Sequence, residues 1–149
     1  MQPNFSKTSP FVRKVMVFAH EKGLADRIEL IDENANLSAT NPLSKVPALI
    51  TDDALAIYDS LVICVYLDDL SDTPVLIPTE KRARMDVLIG HALSNGVMDA
   101  AVAGVMESRR PENKQWEDFK AKQLGKIERA LGVFGKQCTD IAEVIDLST

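Results

Sequence analysis

Three short stretches carry residue types that could do chemistry together. In "TSPFVRKV", Ser9 is followed at once by Pro10, and Val12, Val15, Met16 and Ala19 then recur at helical spacing until Gly23. That is a helix with serine at its N-cap, proline in the first turn and glycine just past the end. The Ser9 oxygen has two uses there. It can accept a hydrogen bond from a backbone N–H near residue 12, worth about 1 kcal/mol. It can also stand beside a bound anion, because a helix start gathers unpaired N–H groups and the positive end of the macrodipole. Asp59 and Ser60 ahead of "LVICVYLDDL" repeat the arrangement: a capping pair whose spare donors suit a ligand carboxylate. Between them, Pro47 in "KVPALI" precedes a strand-like run, where a trans proline would cost a ladder hydrogen bond unless it lay on an edge.

Other reactive side chains are sparse. Cys64 and Cys138 are the only cysteines, with no C-x-x-C pair, which argues against a disulfide scaffold, a structural zinc site or a dithiol centre. His20 and His91 lie in helical patterns without a metal-ligand partner four residues on, so no metal site is expected. Trp116 and Phe119 read as packing residues. With a net charge of −5 and a pI near 5.0, no broad electrostatic hold on nucleic acid or anionic lipid is expected. The basic run "EKRAR" is the solvated start of a helix. The first 20 residues carry Lys7, Arg13 and Lys14 and no unbroken apolar core, so no secretory signal is expected. The longest strongly apolar run, "LVICVYL", is too short to cross a membrane. A reducing cytoplasm is the expected location.

The elements that must position these residues follow from periodicity. "DRIELID" alternates like a half-buried strand, residues 33–44 form a polar loop with a single helical turn, and "PALIT" and "LAIY" around "DDA" make a hairpin. "LVICVYLDDL" is a helix buried on most of its faces, and "SDTPVLIPT" is a linker. Two long helical patterns follow, over 80–108 and 112–136, broken at "RRPEN". An α/β domain followed by an all-α domain fits that order.

The motifs "SPFVRKV", "NPLSKVPALI" and "YDSLVICVYLD", in this order and spacing, resemble the amino-terminal domain of the glutathione transferase superfamily. "NGVMDAAVAGVMESRRPENKQW" and "KIERAL" are similar to the first two helices of the second domain in bacterial members. The resemblance implies a thioredoxin-like domain over residues 1–74 with a mixed four-stranded sheet, a linker over 75–80, and an all-helical C-terminal domain over 81–149 that is truncated relative to the family. It implies Ser9 as the catalytic hydroxyl that donates to the glutathione thiolate and favours ionisation. It implies a cis Val46–Pro47 bond presenting the Val46 backbone to the cysteinyl backbone of glutathione. Ser60 would then face the γ-glutamyl carboxylate, and Asp59 would balance the ammonium. Asp99 would reach a neighbouring subunit's glutathione.

The activity implied is conjugation of glutathione, as co-substrate, to a small apolar electrophile, a detoxification chemistry that needs no metal and no other cofactor. A homodimer is expected, because the apolar positions of the two long helices exceed what one small domain can cover. One departure, Pro3, Asn4 and Lys7 in "MQPNFSK", predicts a short or altered first strand. That departure and the short C-terminal part support the alternative of a catalytically weak or inactive binding or regulatory module on the same fold.

Overall fold

The computed structural model describes residues 1–4, 6–31, 36–71 and 74–146, without the side chains of residues 4 and 138–146. The chain divides into two compact units, Met1–Lys81 and Arg82–Thr149.

The first unit is built on β1 (Gln2–Asn4), β2 (Ala48–Ile50) and β3 (Ala56–Ile57), in the order β1-β2-β3. Both pairings are antiparallel, with Asn4 opposite Ala48 and Leu49 opposite Ile57. The expected hairpin around "DDA" is therefore present, closed by bonds from the Thr51 N–H to the Leu55 carbonyl (2.9 Å) and from the Ala54 N–H to the Thr51 carbonyl (3.0 Å). The expected mixed four-stranded sheet is not: among the described residues the strands number three.

The segment expected as a further strand instead begins with a 3-10 turn, Ala25–Arg27, and then runs along the outer edge of β1. There the Glu29 and Ile31 N–H groups donate to the Met1 and Pro3 carbonyls, each at 3.0 Å, which is the spacing of a parallel ladder. The return bond of that ladder would come from the N–H of residue 3, and proline has none. Pro3 thus removes the bond that would return to the Glu29 carbonyl, while its fully buried ring fills the core side of β1 and Ile31 still makes a bridge to the sheet edge.

Two helices cover one face of this sheet. Along α1 (Pro10–Glu21), Val12, Val15 and Ala19 are buried; along α3 (Ser60–Asp69), Ser60, Ile63, Cys64 and Leu67 are buried at i, i+3, i+4 and i+7. Val15, Ala19, Ile63 and Leu67 pack with Leu49 and Ile57 into one cluster. Burying each large side chain contributes roughly 1.5–3 kcal/mol. The short α2 (Leu37–Thr40) packs against β2, and Ala48 is as fully buried as Leu49 although the two point to opposite faces.

One buried ion pair ties the helix ends together. Lys22 Nζ lies 2.9 Å from Asp68 Oδ1 with both side chains withdrawn from solvent, and it also donates to the carbonyls of Ser71 (2.7 Å) and Pro74 (2.5 Å). Asp68 in turn accepts the N–H groups of Leu76 (3.2 Å) and Ile77 (2.9 Å). Burial pushes the Asp68 carboxyl up, but the Lys22 hydrogen bond, the two amides and the Lys22 charge outweigh it. The group ionises below its ordinary range.

The second unit contains α4 (Lys81–Ser108) and α5 (Glu117–Asp146), separated by a 3-10 turn at Glu112–Lys114. The second pattern, expected from residue 112, becomes α-helical only at Glu117 because the intervening residues close the end of α4. Gln115 Nε2 donates to the carbonyls of Ser108 (3.2 Å) and Arg110 (2.9 Å), and the Trp116 N–H donates to Glu107 Oε1 at 2.8 Å. Trp116 and Phe119 stack at 6.2 Å between ring centroids, a packing contact on this unit. Among the described residues, α4 is the one helix that is long and apolar enough to cross a membrane, by length and composition alone.

Candidate functional site

Sheet register determines where the predicted site residues go. β1 ends at Asn4 opposite the start of β2, and β3 ends at Ile57 beside the same end of β2. The chain leaving β1 towards Ser9, the Val46–Pro47 segment entering β2 and the Asp59–Ser60 pair leaving β3 therefore all lie at one end of the sheet. The helices agree. Lys22 at the end of α1 reaches Asp68 near the end of α3, so the two helices run side by side in the same direction. Their N-termini point to the same end, and two positive macrodipole ends collect there.

Ser9 is the N-cap of α1, half-buried, with its Oγ accepting the Val12 N–H at 3.4 Å. That bond is longer than the usual N–H···O range of about 2.7–3.2 Å, so the cap is weakly made. It also uses only a lone pair. The hydroxyl proton remains able to donate elsewhere.

Asp59 caps α3 through Oδ1, which accepts the Leu61 N–H at 3.0 Å, and its carbonyl accepts the Ile63 N–H at 3.0 Å. Ser60 is buried in the first turn, where its own N–H is one of the groups an α-helix cannot pair internally. The Val46–Pro47 peptide bond is cis, with Pro47 buried and Val46 half-buried. Among the described residues no partner takes the Val46 N–H or C=O. A ligand with an extended backbone could pair with both.

Cys64 lies one turn into α3, and burial pushes its thiol up to about 11, with a lowering effect from Lys14 and raising effects from Asp59 and Asp68. It stays protonated at neutral pH. It is the one cysteine among the described side chains, and none of these supplies a thiolate at this end of the sheet.

Asp99 belongs to the second unit, exposed on α4, where its Oδ2 accepts from Asn95 Nδ2 at 3.4 Å. Asn41 was missing from the sequence-derived set. It is buried, and its side chain spans the turn that leads into Val46, donating to the Lys45 carbonyl at 2.8 Å and accepting the Leu43 N–H at 3.0 Å. The Asn-Pro dipeptide at 41–42 was the available signal, since it favours turn initiation. No group of three or more potential metal-ligating side chains occurs among the described residues.

Residues 8–70, the segment that holds Ser9, Val46–Pro47 and Asp59–Ser60, match the glutathione S-transferase N-terminal domain family. An uncharacterised GST-like protein, YibF of Escherichia coli K12, is 38% identical over 133 residues; the match takes in 86% of this chain and 65% of that protein's length. A glutathione S-transferase of Methylobacillus flagellatus KT, solved with glutathione bound, superposes with a TM-score of 0.84 at 41% identity, over 91% of this chain and 68% of the other. A glutathione transferase family member of Pseudomonas fluorescens Pf-5, also with bound glutathione, gives a TM-score of 0.86 at 38% identity, over 97% and 74% respectively. These likenesses run through both units and include the three segments gathered at the end of the sheet. The chain belongs to the glutathione S-transferase family.

Proposed function

We propose that the chain binds glutathione at the shared N-terminal end of α1 and α3 and transfers its thiolate to a small apolar electrophile. The observation that carries this reading is the convergence of two parallel helix N-termini with the backbone of Val46, which is unpaired among the described residues. Val46 would pair with the cysteinyl backbone as a short strand would. Ser60 would donate to the γ-glutamyl carboxylate, and the Asp59 carboxylate would balance the ammonium. The sulfur would then lie beside Ser9, whose hydroxyl proton and helix end favour the ionised form. Catalysis would consist of lowering the thiol pKa and holding the nucleophile against the electrophile. The glutathione-bound relatives at 38–41% identity support the binding part of this reading. The reading extends to a cytoplasmic location, a homodimer and a cross-subunit contact from Asp99 to the partner's glutathione.

Binding is tested by thermal unfolding with and without millimolar glutathione. A ligand present at 100 times its Kd stabilises by about 2.7 kcal/mol, an easily measured rise in Tm. The rise should vanish in the Asp59→Ala/Ser60→Ala double variant, and an unchanged wild-type curve would remove the proposal. Transfer is tested with a generic aromatic halide. Binding without turnover would favour the alternative of a glutathione-binding regulatory module, a reading to which the three-residue β1 lends itself.

A further inference from the structure

The turn that delivers Val46 to the end of the sheet is braced by a single buried side chain. Asn41 follows α2, and the Pro42 after it restricts its backbone to the extended conformation observed, φ −130° and ψ 110°. Its carbonyl accepts the Ser44 N–H at 2.8 Å, closing a tight turn with proline in the second position. The carboxamide then holds both sides of that turn: Oδ1 takes the Leu43 N–H and Nδ2 reaches the Lys45 carbonyl. Ser44 is held at φ 49°, a left-handed conformation that residues other than glycine adopt at a cost, so the turn would not keep this shape unaided. Lys45 is bonded directly to Val46. A group fixing the Lys45 carbonyl therefore fixes the plane of the peptide that carries the Val46 N–H.

We propose that Asn41 is a positioning residue for the ligand-binding backbone of Val46, an inference that rests on the glutathione reading above. Asn41 touches no ligand in this account. It orients the Val46 N–H before glutathione arrives, so that the ordering of this loop does not weaken binding.

The test compares wild type, Asn41→Ala and Leu67→Ala at a temperature where all three are folded. Leu67 is a fully buried core residue on α3, and its truncation supplies a loss of stability without touching the turn. Calorimetric titration with glutathione should give a Kd at least tenfold weaker for Asn41→Ala and within twofold of wild type for Leu67→Ala. Equal Kd values in wild type and Asn41→Ala, or equal weakening in both variants, would overturn the proposal. Backbone 15N relaxation without ligand supplies a second readout. Lys45 and Val46 should gain fast motion in Asn41→Ala and not in Leu67→Ala. If wild type fails to bind glutathione, the functional reading falls by itself. The relaxation result then decides the bracing role, and unchanged order at Lys45 and Val46 would overturn it.

Discussion

Among the described residues of the first unit, Lys22 is the one lysine buried from solvent, and its partners explain why it is tolerated. Lysine is almost never withdrawn from water unless paired, and here the ammonium meets a carboxylate and two carbonyls. Removing one member leaves the other charged and unpaired, so Lys22→Met should destabilise by about 3–5 kcal/mol in urea unfolding at neutral pH. Asp68 adds a pH dependence of known sign. Its folded pKa is lowered, so its contribution is fully present above the unfolded carboxylate value of about 3.9 and is lost as pH falls through the folded value. Asp68→Asn should therefore lower stability at neutral pH and flatten the decline of the unfolding midpoint on the acid side. An acid profile parallel to wild type would contradict this assignment. None of it was legible in the sequence, where nothing marks Lys22 as buried and its partner lies in another segment. Ser9 and Asp59 were legible as caps because capping is local chemistry.

At the scale of elements, the hairpin shows what local pattern can and cannot say. The "DDA" turn was readable, yet its shape places Ala54 at φ 67°, where a three-residue hairpin loop favours glycine. Ala54→Gly should raise stability by about 1 kcal/mol, because the left-handed conformation costs an L-residue roughly 1–2 kcal/mol and glycine almost none. A Tm that stays level or falls in a thermal melt would show that the turn is not strained. The lost fourth strand has an equally definite cause. Alternation in "DRIELID" was a fair strand signal, but a continuous ladder needs a donor at each step, and Pro3 on the neighbouring strand cannot return the bond to Glu29, which leaves a bridge at Ile31 in place of a full strand. The helices were easier. Their apolar spacing is internal to each segment, whereas the end of "RRPEN" and the true start of α5 depend on side chains reaching back to close α4.

Across the whole molecule, α4 raises the question of what covers it, since Met85, Val87, Ile89, Val105 and Met106 are exposed along its length. A helix apolar around much of its circumference is normally enclosed. A homodimer would supply that cover, so light scattering at tens of micromolar should give twice the chain mass of 16.4 kDa in the absence of detergent. A monomer would contradict it, and recovery only with detergent or membranes would point to a bilayer instead. The gathering of Ser9, Val46–Pro47 and Asp59–Ser60 at one end of the sheet is likewise a property of the assembled first unit. Each motif was visible in the sequence, but their convergence depends on strand register and on the parallel course of α1 and α3. Family resemblance was what linked them beforehand. The function proposed for this end of the molecule turns on Ser9 ionising a bound thiol. The most direct measurement is the pH dependence of thiolate absorbance in the glutathione complexes of wild type and Ser9→Ala. The apparent pKa in the wild-type complex should lie well below that of free glutathione and return towards the free value in Ser9→Ala; identical values in the two proteins would leave Ser9 as a helix cap and nothing more.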